Sequence, residues 1–75
     1  MNELYALLSD CCPNIDFSSE KTLMTDHILD SIDLVSIIMS IQAKYNLSFD
    51  PSDITHSNFD SIDAIHKLIN RKLSE

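Results

Sequence analysis

The tetrapeptide Asp-Ser-Ile-Asp occurs twice, at residues 30–33 and 60–63, and each copy precedes a helical apolar pattern. A serine set between carboxylates in this way can do one of three things. It can cap a helix, since Asp and Ser oxygens accept the first unpaired backbone amides. It can act as a nucleophile, or it can receive a covalently attached group. Nucleophilic catalysis needs a base and an oxyanion hole, and the glycine-containing elbow that commonly presents a catalytic serine is absent. Asp26 and His27 precede Ser31 closely, but adjacency in a loop is not a triad. The chain is therefore not expected to be an enzyme, which leaves capping and covalent attachment to be divided between Ser31 and Ser61.

The remaining reactive side chains point to no second chemistry. Cys11 and Cys12 are neighbours, so they form neither a disulfide framework nor a Cys-x-x-Cys metal pair. They are expected as reduced thiols at the end of the first helix, at least one of them packed as a small apolar group. His56 and His66 lack ligand spacing and are expected on exposed helix faces, with no metal bound. The chain has no glycine, which argues against phosphate-cradling loops and nucleotide fingerprints. Twelve acidic against five basic residues give a net charge of −7, unfavourable for nucleic acid and anionic membranes. No apolar run reaches membrane-spanning length, and no basic flank leads into an apolar secretion segment. A soluble, cytoplasmic, monomeric protein is expected.

These residues must be positioned by a very small fold. A domain of 75 residues buries only about 60% of its unfolded surface, yet nine leucines and ten isoleucines can build one core. Asn2 is expected to cap a first helix through about Cys11, with Leu4, Leu7, Leu8 and Cys11 on one stripe. Pro13 ends it. A long connection from Asn14 to about Leu29 follows, pinned by Ile15, Phe17, Leu23 and Ile28. A loop of that length in so small a domain is usually functional.

The second helix should run from Asp30 to about Tyr45 with Leu34, Ile37, Ile38, Ile41 and Tyr45 toward the core. Ile32, Val35 and Met39 form a neighbouring stripe, so the helix either packs on two sides or exposes a docking surface. Asn46 suits a left-handed cap. Leu47 and Phe49 belong to an extended connector, and Pro51 to about His56 can make one short turn carrying Ile54. Asp60 or Ser61 caps the last helix, whose buried stripe is Ile62, Ile65, Leu68, Ile69 and Leu73. Lys67, Arg71 and Lys72 lie toward its C-terminal half, where they suit the helix dipole. The fold class is all-α: a small four-helix bundle, three main helices and a short one, with a long loop between helices one and two and no sheet.

With a long loop ending in Ile28-Leu29, then Asp30-Ser31-Ile32-Asp33-Leu34-Val35, then a wide-faced helix in an acidic chain, the sequence resembles the acyl carrier protein family. The resemblance runs from Leu4 to about Leu73 and implies one carrier domain over residues 1–75. It implies 4′-phosphopantetheine, transferred from coenzyme A by a phosphopantetheinyl transferase, on the Ser31 hydroxyl. It further implies that an acyl or aminoacyl group, loaded by a ligase and removed by a downstream transferase, rides on the arm as a thioester. Ser61 falls where the family has a capping residue. Asp30, Ile32, Asp33, Val35 and Met39 would meet partner enzymes.

This chain departs from the family in three places. His27 stands where many members have glycine, and histidine is among the residues enriched at positive φ. The Gly-Gly common before the serine of peptidyl carriers is missing. Helix two bears Ser36, Ser40, Gln42 and Lys44 where fatty-acid carriers bear several glutamates, so docking should lean on apolar contact rather than long-range steering. A dedicated carrier for a fatty acyl, polyketide or small aminoacyl group fits best, with a D-alanyl carrier in play. If Phe49, Ile54 and Phe59 line the core near helices two and three, their bulk favours a short cargo; the first expectation is that they are ordinary core residues. The alternative from another class is a helical interaction module without cofactor, using the same apolar arc.

Overall fold

The computed structural model describes residues 2–74, and among them every regular element is helical. The helices are α1 (Asn2–Cys11), α2 (Ser31–Tyr45), the short α3 (His56–Phe59) and α4 (Ile62–Ser74), with a 3-10 turn at Pro51–Asp53. α1 packs against α2 and α4, and α3 packs against α4. The cap expected from Asn2 falls on a side chain outside those described. None of the described helices is long and apolar enough to cross a membrane.

Each main helix buries the stripe its sequence marks. Leu4 and Leu8 come from α1, Ile37 and Ile41 from α2, and Ile62, Ile65, Leu68 and Ile69 from α4. Leu7, Leu34, Ile38 and Tyr45 are partly buried against that centre. Leu73, expected on the buried stripe, is exposed one residue from the end of α4, at the rim of a cleft that Glu3 and Tyr45 also line. Cys11 and Cys12 are free thiols, and Cys12 lies in the core.

The loop of residues 12–30 is anchored rather than splayed. Phe17, Leu23 and Leu29 are buried, whereas Ile15 and Ile28 only lean on the core. Between those anchors Asp16 makes a local turn, accepting the Ser18 amide at 3.1 Å and the Ser19 hydroxyl at 2.8 Å. Leu29 donates its amide to the Leu23 carbonyl at 2.9 Å, which closes a compact sub-loop just before α2.

The far connection differs from expectation in one respect. The single turn anticipated over Pro51 to His56 is split in two. Pro51 starts a 3-10 turn that ends at Asp53, and Thr55 then caps a separate α3 by accepting the Asn58 amide at 3.1 Å. The Asn58 side chain ties the two pieces, donating to the Asp53 carbonyl at 2.8 Å. Lys72 does more than complement a dipole. Its ammonium sits 2.9 Å from Asp53 and 3.5 Å from Asp50, fastening α4 to the turn. Asn46 adopts φ 54° and ψ 51° and closes α2 in the left-handed cap its position called for.

Candidate functional site: the start of the second helix

The two identical tetrapeptides are read one residue out of step. In the first copy Asp30 is the cap, with extended backbone (φ −92°, ψ −179°) and its carboxylate accepting the Asp33 amide at 2.8 Å. Ser31 is then the first helical residue, exposed, and its hydroxyl makes no hydrogen bond among the described residues. In the second copy the serine is the cap: Ser61 Oγ accepts the Ala64 amide at 3.1 Å, and α4 begins at Ile62. One hydroxyl is thus engaged in holding a helix, while the other points outward.

The displaced Asp60 has a role that helix-start chemistry alone does not cover. Its carboxylate accepts the Met24 amide at 2.9 Å, the Thr25 amide at 2.8 Å and the Thr25 hydroxyl at 2.8 Å. Its carbonyl accepts the Leu23 amide at 2.7 Å. Burial alone would raise the Asp60 pKa, but these donors outweigh it and hold the carboxyl below its usual value. The 60–63 copy therefore both starts α4 and clamps the loop that precedes Ser31, correcting the expectation that it is only a helix start.

That clamp shapes a cleft. His27 takes φ 58°, the left-handed turn expected where other chains would use glycine. Its amide bonds the Met24 carbonyl at 3.2 Å, and the chain then turns through Leu29 into Asp30. The result is an open cleft of about 400 Å³ beside Ser31. Met24, Leu29 and Leu34 give it apolar lining; His27, Asp30 and, from α3, His56 give it polar edges. Sequence reasoning placed His56 on an exposed helix face, and it is exposed, but its place beside Ser31 was missed. No local signal connects residue 56 with residue 31. His66 is half-buried rather than exposed and lines a different cleft with Glu3 and Tyr45.

The apolar stripe beside the core stripe of α2 is open to solvent. Ile32, Val35 and Met39 are 76%, 53% and 63% exposed, so α2 is packed on one side only. Asp30 is exposed at the head of this face and Asp33 half-buried. Behind it, Cys11 Sγ lies 3.1 Å from Ser40 Oγ, bridging α1 and α2. Burial, then the negative charge of Asp33, pushes the Cys12 thiol up to about 11, so it is a packed group and not a nucleophile. Among the described residues no cluster of three or more His, Cys, Asp or Glu side chains could hold a metal ion.

The family model described as a phosphopantetheine attachment site matches residues 6–65. No curated protein and no solved structure gives a significant match. The residues present fit a phosphodiester-linked arm. An unengaged primary hydroxyl stands at a helix start, where the first amides have no intrahelical acceptor and the dipole favours an anion. The cleft beside it is wide enough for the first groups of such an arm. The chain belongs to the phosphopantetheine attachment site family, and its cofactor is covalently attached 4′-phosphopantetheine.

Proposed function

We propose that Ser31 is the attachment point, and that the chain is a single carrier domain that shuttles an acyl or aminoacyl group between partner enzymes. The observation that carries this reading is the register offset: Asp30 caps α2 and leaves the Ser31 hydroxyl unengaged, whereas Ser61 caps α4 with its own. Ser31 Oγ would attack the pantetheine-side phosphorus of coenzyme A. The new Oγ–P bond replaces the P–O bond to the departing 3′,5′-ADP, and the serine proton goes to a base of the phosphopantetheinyl transferase. The bound arm supplies a flexible thiol on which the cargo travels as a thioester, so the chain needs no catalytic group of its own.

The chain's part is presentation and recognition. Asp30 holds Ser31 at the first turn, and the loop clamped by Asp60 keeps the approach clear. Asp30, Ile32, Asp33, Val35 and Met39 form the surface for the transferase, the loading ligase and the downstream transferase. Its exposed centre is apolar, and Ser36, Ala43 and Lys44 lie further along the exposed side of α2 in place of a run of acids. That favours a small set of dedicated partners. Phe49 and Phe59 meet edge to face at 5.9 Å and 84°, filling the space near α3. This favours a short cargo, fatty acyl, polyketide or small aminoacyl, over a long sequestered chain.

The test is intact mass after incubation with a phosphopantetheinyl transferase and coenzyme A. Wild type and Ser61→Ala should each gain one phosphopantetheine, and Ser31→Ala none. An addition that persists in Ser31→Ala would overturn the assignment. No addition to wild type would favour an interaction module that uses the same apolar face.

A further inference from the structure

The cleft beside Ser31 has an electrostatic peculiarity. A phosphodiester on Ser31 would stand beside the Asp30 carboxylate, which lines the cleft, with the Asp60 carboxylate behind the cleft wall on the Met24 amide. None of the five lysine and arginine residues lines the cleft. Lys21 lies 3.9 Å from Asp63, Lys44 sits over the Tyr45 ring, Lys67 and Arg71 line another cleft, and Lys72 is paired with Asp53. The side chains at this cleft that can offer an N–H to an anion are two imidazoles, His27 from the loop and His56 from the first turn of α3. Neither ring makes a hydrogen bond among the described residues, and both residues are exposed.

Resting on the assignment of Ser31 as the attachment point, we infer that His27 and His56 form a two-sided imidazole clamp for the phosphodiester of the arm. An imidazole donates one N–H when neutral and two when protonated, so the clamp works in either state. A charge-assisted bond to a phosphate oxygen is stronger than a neutral one. The two residues arrive from separate segments: His27 is fixed by its left-handed backbone, and His56 by the Thr55 cap of α3. Met24, Leu29 and Leu34 meet the apolar carbons next to the phosphate. The clamp would hold the root of the arm while leaving its thiol end mobile.

NMR of the apo and holo protein tests this without an activity measurement. Intact mass first confirms the addition and its loss in Ser31→Ala; no addition removes the attachment reading and the clamp with it. On conversion to the holo form the ring signals of both His27 and His56 should move, while those of His66, in its separate cleft, stay in place. The phosphorus resonance should be displaced from its position in urea-unfolded holo protein. His27→Asn, which keeps a residue tolerant of the left-handed backbone, and His56→Leu should each reduce that displacement, and the double variant should abolish it. Holo protein whose His27 and His56 rings move no more than His66, or movement at one ring alone, would overturn the two-sided clamp. So would a double variant, natively folded by its amide spectrum, with an unchanged phosphorus resonance.

Discussion

Asp60 receives both the amide and the hydroxyl of Thr25, each at 2.8 Å, across 35 positions of sequence. The contact ties the junction of α3 and α4 to the wall of the Ser31 cleft. It links the two copies of one tetrapeptide: a residue of the second holds the approach to the first.

Removing that tie should loosen the site before it unfolds the protein. Asp60→Ala is expected to cost about 1–2 kcal/mol, since it strands two backbone donors that are partly exposed to water. Asp60→Asn should cost less, because one oxygen remains as an acceptor. Urea unfolding measures the loss, and amide shifts and hydrogen exchange over residues 23–29 should change more than those of α1. An Asp60→Ala protein with wild-type exchange in that segment would contradict the role.

Acid should act through the same group. The carboxyls of Asp60, Asp53 and Asp16 are all held below their usual value. In Asp60, donors from Thr25 and Met24 outweigh burial; the Lys72 hydrogen bond leads for Asp53, and the Ser18 and Ser19 hydroxyls for Asp16. A carboxyl depressed on folding stabilises fully above its unfolded value, near 3.8, and loses that contribution as pH falls through the lower folded value. Stability should therefore be flat from pH 7 to about 5 in this respect and fall below about 4. Thermal melts of Asp60→Asn should show a shallower acid limb than wild type.

The two serines should separate stability from modification. Ser61→Ala removes a helix cap and is expected to cost about 1 kcal/mol while leaving phosphopantetheine transfer intact. Ser31→Ala touches no internal bond and should change stability by less than about 0.5 kcal/mol while abolishing transfer. Denaturation midpoints and intact masses of the two variants give both answers.

The exposed face of α2 should bind by contact more than by charge. Ile32→Ala, Val35→Ala and Met39→Ala are each expected to weaken partner binding by about 1–2 kcal/mol, roughly five- to thirty-fold, with little effect on folding. Raising salt should weaken binding only modestly, since Asp30 and Asp33 are the acids at the head of the face. Calorimetric titration with the transferase at two ionic strengths decides this. A steep salt dependence with indifferent apolar variants would refute it.

Cys12 should be nearly inert in the folded protein. With its thiol pushed up to about 11, only about one molecule in ten thousand is ionised at pH 7. Alkylation by iodoacetamide should accelerate sharply on unfolding in urea, and peptide mapping would locate the label.

Much of the scaffold was legible because it depends on local pattern. The spacing of Ile37 and Ile41 in α2, or of Ile62, Ile65 and Ile69 in α4, settles which face is buried. Of the two left-handed positions, Asn46 was readable from residue type and context, and His27 from the resemblance, because it stands where many family members have glycine. The cap register was not. Asp and Ser cap helices almost equally well, so sequence alone leaves the start of either helix uncertain by one residue, and that residue decides which hydroxyl is engaged. Nor could the bonds from Asp60 to the loop, or the place of His56 beside Ser31, be seen. They join segments distant in sequence and exist only once α3 and α4 have docked. The split between the 3-10 turn and α3 was hidden likewise, since the Asn58 bond to Asp53 and the Lys72 pair stabilise it from outside.

The clamp also orders events in time. During synthesis Ser31 is made well before Asp60, and until residue 60 arrives the wall of the cleft has nothing to close against. Closing a contact over 35 residues carries a loop-closure entropy that local helix formation does not. α2 can therefore form while the approach to its serine is still slack. A transferase that requires the closed wall would act on finished chains and pass over nascent or misfolded ones, so attachment of the arm would certify that the C-terminal helix has docked.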